Sequence, residues 1–187
     1  MPEAAFESFV REYQDMVYAT AVRLLSSPAE AEDIAQTVFL KAFERFDDIG
    51  ASPAAAGWLK TVATNLCLNH LSRHRSRWRL FSELRAPGDE PAGDRDHVDA
   101  LMARAGASAP AQVEADLDAA DEQERLESAV RRLPDHQRVP IVLFHFEGKS
   151  YLEIAALLGV TLAKVKTDMH RGREALRDAL TSAHAAR

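Results

Sequence analysis

Residues 150–173 read SYLEIAALLGVTLAKVKTDMHRGR. Ser150 is a good N-cap, and Glu153 three residues later completes a capping-box pattern. Ile154, Leu157 and Leu158 follow as an apolar stripe at helical spacing. Gly159 supplies a residue that tolerates positive φ where a first helix must stop. Thr161 can cap a second helix whose buried side is Leu162, Val165 and Met169. Its other faces carry Lys164, Lys166, Thr167, His170 and Arg171. Two short helices joined by a tight glycine turn, the second with polar and cationic groups outward, have the geometry that enters a major groove. An αα-hairpin in an unrelated helical domain shares this spacing.

The chain has 187 residues and a net charge of −6, which is unexpected beside such a helix. The distribution resolves part of the conflict. Residues 1–59 carry net −6, 60–85 net +5, 86–124 net −9 and 125–187 net +4. Contact with phosphate is governed by charge within a Debye length, so either basic block can meet DNA. The overall repulsion still argues that the isolated chain binds DNA weakly. No apolar run approaches the roughly 18 residues of a membrane helix. The acidic amphipathic start, MPEAAFESFVREY, is unlike a signal peptide. One cysteine, Cys67, precludes an intramolecular disulfide and fits a reducing cytoplasm.

Upstream, the spacing predicts a helix over 2–25, with Phe6, Phe9, Val10, Tyr13, Val17, Ala21 and Leu24 on one side. Ser27, Pro28 and Glu30 predict a second capping box, opening a helix over 28–46. There Ile34, Ala35, Val38, Phe39, Ala42, Phe43 and Phe46 cover more than half the circumference. Such a width fits burial in a bundle, or a helix that also offers a face to a partner, with Asp33, Gln36 and Lys41 at its margin. A polar loop is expected over 47–51. Ser52-Pro53 starts a third helix running to about Ser76, its buried side Trp58, Leu59, Val62, Ala63 and Leu66.

The third helix also carries Lys60, Asn65, Asn69, His70, Arg73, Arg75 and Arg77. An aromatic ring with amides and arginines suits single-stranded or distorted nucleic acid, through stacking, base-edge contacts and phosphate contacts. A solvated basic helix end is the plainer account. Cys67, His70 and His74 share one face, but one straight helix rarely converges three ligands on an ion, so no metal site is expected.

Residues 86–112 are rich in Gly, Pro, Ala and Asp and read as a flexible acidic linker. A second domain, 113–187, opens with a helix bearing Leu117, Leu126, Val130 and Leu133. Pro134 starts the next helix, Pro140 should kink or loosen it, and Gly148 ends it. The last helix should continue through Leu176 and Leu180, then fray. The fold class is therefore all-α: two small helical domains, 1–85 and 113–187, the second a helix-turn-helix domain. No phosphate loop, paired-histidine motif or nucleophile elbow is present, so neither an enzyme nor a cofactor is expected.

Three segments in this order resemble the extracytoplasmic-function sigma factors of bacterial RNA polymerase: AEDIAQTVFLKAFERF, GWLKTVATNLCLNHLSRHR, and LPDHQRVPIVLFHFEGKSYLEIAALLGVTLAKVKTDMHRGREALR. The resemblance implies promoter recognition within polymerase holoenzyme. It implies that Asp33, Gln36 and Phe39 face the polymerase clamp helices. It implies that Trp58, Lys60, Asn65, Asn69, Arg73 and Arg75 serve the melted −10 element, and that the 47–56 loop pockets an extruded base. Lys164, Lys166, Thr167, His170 and Arg171 would contact the −35 duplex. Further partners implied are the polymerase flap and a separate anti-sigma factor, with a cytoplasmic location and no membrane insertion. Thr37 and Val38 depart from the expected Glu-Thr pair. Asp168 stands where a basic residue is usual; it would repel phosphate yet can accept from a cytosine amino group. Gly172 should weaken the recognition helix locally. The competing readings are a stand-alone helix-turn-helix regulator and a helical adaptor that binds no DNA.

Overall fold

A computed structural model of the chain describes residues 3–73 and 115–185. Among the described residues there are eight α-helices and no strand. They fall into two compact units, one inside Met1–Arg79 and the other inside Leu80–Arg187. The expected linker and the boundaries at 85 and 113 lie outside the described residues.

The first unit holds α1 (Glu3–Leu25), α2 (Pro28–Glu44), α3 (Phe46–Ile49) and α4 (Ala55–Arg73). Helix α1 packs along both α2 and α4. The core joins Phe9 and Val17 of α1, Val38 and Ala42 of α2, Ile49 of α3, and Ala55, Leu59 and Ala63 of α4. Each large aliphatic side chain buried here contributes about 1.5–3 kcal/mol. Phe46 sits edge-on to both Phe6 and Phe9, at centroid distances of 5.2 and 5.4 Å. These edge-to-face contacts suit the ring quadrupole. They also explain why α2 stops two residues before Phe46: the chain turns at Arg45, and α3 occupies most of the expected loop.

Helix α1 ends at Ser26, whose φ of 58° is left-handed. Ser27 then accepts from the Glu30 backbone N–H at 3.4 Å. Only this half of the expected capping box forms. The Glu30 carboxylate instead lies 3.3 Å from His70 Nε2, joining the first turn of α2 to the far end of α4.

The second unit holds α5 (Ala115–Arg132), α6 (Asp135–His145), α7 (Tyr151–Leu158) and α8 (Leu162–Ala185). Helix α8 packs on the other three. Its core includes Leu126, Val130, Val139, Ile141, Val142, Leu143, Ile154, Leu158, Val165, Met169 and Leu176. Pro140 is buried within α6, and the helix is not interrupted there. Arg138 is 2% exposed and donates to the Leu133 carbonyl and to Asp135 Oδ1, so its charge is satisfied where α5 gives way to α6. Helix α8 runs on to Ala185, beyond the expected fraying point.

Gly172 has a tertiary role that the sequence concealed. A Cβ there would lie 2.4 Å from Ile141 Cδ1 and 3.3 Å from Gln137 Cβ. The missing side chain lets α8 approach α6 closely, so the weakened helix propensity expected of glycine accompanies a packing requirement.

Candidate nucleic-acid and polymerase interfaces

The turn between α7 and α8 is built as its residues require. Ser150 Oγ accepts from the Glu153 N–H, and the Glu153 carboxylate accepts from the Ser150 N–H at 2.8 Å. The Ser150 N–H first, and then the Ser150 hydroxyl donating to the same carboxylate at 2.7 Å, hold the Glu153 carboxyl below its ordinary range. Gly159 takes φ 63° and ψ 39°. Thr161 Oγ1 accepts from the Lys164 N–H, starting α8. Arg173 closes the motif from the other end: it donates to the Tyr151 hydroxyl at 2.9 Å and stacks over Phe144 at 5.6 Å. Leu157, expected in the buried stripe, is 39% exposed. Ala155 takes its inward place beside Ile154 and Leu158.

Val165, Met169, Gly172 and Leu176 mark the buried side of α8. At roughly 100° per residue, Lys164, Lys166, Thr167, His170 and Arg171 span about 160° of the remaining surface. They are not equally available. Lys164 Nζ lies 2.7 Å from both carboxylate oxygens of Asp168. Thr167 Oγ1 donates back to the Ala163 carbonyl. His170 Nε2 is 3.4 Å from Glu174. Lys166 is exposed and Arg171 half-buried, and neither meets a carboxylate in an ion pair among the described residues. Asp168 is 3% exposed, which corrects its expected role as a base reader: its oxygens are turned to Lys164. His136, half-buried at the start of α6, is held below the usual histidine range first by burial and then by the Lys164 and Arg171 cations, against the opposing pull of Asp168 and Asp135.

In the first unit, Asn65 and Asn69 are exposed on α4. By helical spacing Trp58, Thr61, Asn65 and Asn69 share a face of about 80°, whereas Lys60 falls on a different flank. Trp58 is partly buried and packs against the core. The Arg73 side chain, Arg75, Arg77 and His74 lie outside what is described. Cys67 is buried, and no group of described His, Cys, Asp or Glu side chains is placed to hold a metal ion.

On α2, Asp33 and Gln36 are exposed, but Phe39 leans into the core and Val38 is wholly buried. The outward strip continues through Leu40, which is 67% exposed and lies outside the expected apolar face, and Phe43, which belongs to that face by spacing yet is 51% exposed. Asp33, Gln36, Leu40 and Phe43 recur at i, i+3, i+7 and i+10 and line one side of the helix. The signal was present as Leu40 directly after the inward-facing Phe39.

The family model described as Sigma-70 region 2 matches residues 9–77, and that described as Sigma-70, region 4 matches residues 123–176. The chain is 31% identical to the ECF RNA polymerase sigma factor SigW of Bacillus subtilis over 94% of its own length and 89% of that protein's. The chain belongs to the ECF sigma factors. The ECF RNA polymerase sigma factor SigE of Mycolicibacterium smegmatis is 33% identical, this sigma factor spanning 62% of its length. Among solved structures, the chain is similar to the sigma factor RpoE in its complex with the anti-sigma factor NepR from Bartonella quintana, at 19% identity and a TM-score of 0.47, covering 94% of this chain and 96% of that one.

This sigma factor directs core RNA polymerase to promoters. Its region 2 serves −10 melting and its helix-turn-helix serves −35 duplex recognition, which initiates transcription. Nothing found favours a stand-alone regulator. No helix among the described residues is long and apolar enough to cross a membrane.

Proposed function

We propose that this sigma factor divides its contacts as follows. The strip Asp33–Gln36–Leu40–Phe43 of α2 docks on the polymerase clamp helices. The α4 face bearing Asn65 and Asn69, with Trp58 beneath, lies along the melted −10 strand, extended by Arg73 and Arg75. Lys166 and Arg171, with Thr167 and His170 between them, meet the −35 duplex, while the second unit rests on the polymerase flap. The observation that carries this reading is the unmatched charge of Lys166 and Arg171 on the outward side of α8, next to a lysine that is already paired. An acidic segment, 86–112, joins a polymerase and −10 domain (1–85) to a −35 domain (113–187). The protein acts in the cytoplasm, performs no catalysis of its own, and is restrained by a separate anti-sigma factor.

Dependence on core follows from the charge. A chain of net −6 brings few phosphate contacts to an anionic duplex, and few contacts give weak affinity at physiological salt. Unstacking bases costs a few kcal/mol per step. Docked on core, both units are held together and the second contact becomes intramolecular. The free protein therefore shows little specific affinity for promoter duplex, and its complex with core binds and melts it. The test is promoter binding and run-off transcription by reconstituted holoenzyme. Arg171→Ala and Lys166→Ala each weaken −35-dependent binding by about 1–3 kcal/mol if they touch bases. Contacts to phosphate alone lower binding evenly across sequences and reduce the salt slope. Tight sequence-specific binding by the free protein, unaffected by core, overturns the reading.

A further inference from the structure

The flank of α8 that carries Arg171 also carries a buried acid. Lys164, Asp168 and Arg171 follow at i, i+4 and i+7, in one row along the helix. Asp168 is 3% exposed, and both of its oxygens take the Lys164 ammonium at 2.7 Å. The Lys164 side chain remains 30% exposed at the groove-facing margin. His136 approaches the same cluster from α6, and Asp168, Lys164 and Arg171 all bear on its charge.

We propose that Asp168 is a specificity-determining positioning residue that acts through Lys164; this rests on the reading of α8 as the −35 helix. A lysine is ordinarily a flexible point charge, able to follow any phosphate. Here its freedom is removed. An ammonium has three N–H donors, and two are taken by the two Asp168 oxygens. One donor is left, and its direction is fixed by the helix. Leaving Asp168 for a phosphate would strand a buried carboxylate, which is strongly unfavourable. Lys164 therefore meets DNA with Asp168 attached, as a pair of zero net charge. Such a pair adds little to sequence-independent attraction. It presents a single fixed donor to an acceptor on a base edge in the major groove: guanine O6 or N7, adenine N7 or thymine O4.

The test uses holoenzyme reconstituted with core polymerase, and a −35 duplex selected by wild-type holoenzyme from a randomised library. Binding is measured to that duplex and to its single-base-pair variants, across a salt series. Asp168→Asn keeps the shape and frees the lysine. It steepens the salt dependence by about one phosphate contact, a slope change of roughly 0.9, and lowers discrimination at one −35 base pair by about tenfold. In Lys164→Ala/Asp168→Asn the added slope disappears while discrimination at the same base pair stays lost. A purely structural Asp168 would lower the unfolding temperature and leave the salt slope untouched. Wild-type slope and discrimination in Asp168→Asn, beside a clear loss in Arg171→Ala, overturn the proposal alone. If Arg171→Ala also changes nothing, the assignment of α8 falls and the proposal with it. Should Asp168→Asn misfold, the double variant, which removes both charges together, decides: lost discrimination at one base pair with an unchanged salt slope upholds the proposal, and retained discrimination, or a slope shallower by about 0.9, ends it.

Discussion

The two units expose different chemistry from the same all-helical architecture. The first is built on interlocked aromatic rings and turns outward a strip that mixes apolar and polar groups, Leu40 and Phe43 beside Asp33 and Gln36. The second turns outward charge, and part of that charge is already answered: Lys164 by Asp168. A surface of the first kind gains from a protein partner that buries it. One of the second kind gains from a polyanion, and only through the cations left over. Net charge alone would have ranked neither unit as a DNA binder.

The largest effects are expected at the cores. Leu59, wholly buried in the first unit, should lose about 2–5 kcal/mol on replacement by alanine, read by denaturant unfolding. A smaller loss would mean that the aromatic cluster, and not α4, holds this unit together. Within the first unit, Phe39 and Leu40 should part company. Phe39→Ala removes a side chain packed on the core and should destabilise by about 1–3 kcal/mol, clouding any assembly measurement. Leu40→Ala should stay within about 0.5 kcal/mol in stability, Phe43→Ala should lose about 0.5–1.5 kcal/mol with its edge-on contact to Phe6, and both should lower assembly with core polymerase, measured by pull-down. Equal effects of all three on stability would erase the distinction between the inward and outward faces of α2.

In the second unit, Gly172→Ala sets two effects against each other. Helix propensity returns about 1 kcal/mol. The new methyl collides with the fully buried Ile141, and overpacking costs about 1–3 kcal/mol. The net expectation is a loss of about 1 kcal/mol, relieved by Ile141→Val; a gain would show that α6 and α8 separate freely.

The smallest effect is at the turn. Ser150→Ala should cost about 1 kcal/mol through loss of the cap. It should also change the pH dependence. Glu153 has a depressed folded pKa, so its contribution is present above the ordinary glutamate range and is lost as pH falls through the folded value. His136 has a lowered pKa and favours the neutral form when folded. Stability is therefore full above the ordinary histidine range and declines as pH falls into it. Thermal unfolding of wild type and Ser150→Ala from neutral to acid pH should show both declines in the former. Ser150→Ala loses the hydroxyl but keeps the backbone N–H at 150, so its glutamate decline should be smaller, not absent, and its histidine decline unchanged. Identical acid limbs would remove the Ser150 hydroxyl from the contact with Glu153.

Local signals were legible because they depend on neighbours in the chain. The Ser150–Glu153 box, the left-handed Gly159 and the Thr161 cap follow from backbone groups within one turn of each residue. Helical periodicity indicated the all-α class and every described helix except the short α3, and three ordered segments indicated the family. What only the tertiary structure decided were choices between partners far apart or facing different sides. Glu30 could bond its own cap or reach His70, and the packing of α4 against α2 settled it. Phe39 and Leu40 are both apolar, and only the position of the core made one inward and the other exposed. Asp168 looked like a surface residue facing DNA until burial beside Lys164 gave its charge a partner. Gly172 weakens a helix by sequence, yet the approach of Ile141 makes its missing side chain a condition of packing. Periodicity can place a residue on a face, but which face is covered depends on helices that meet only after the chain has folded.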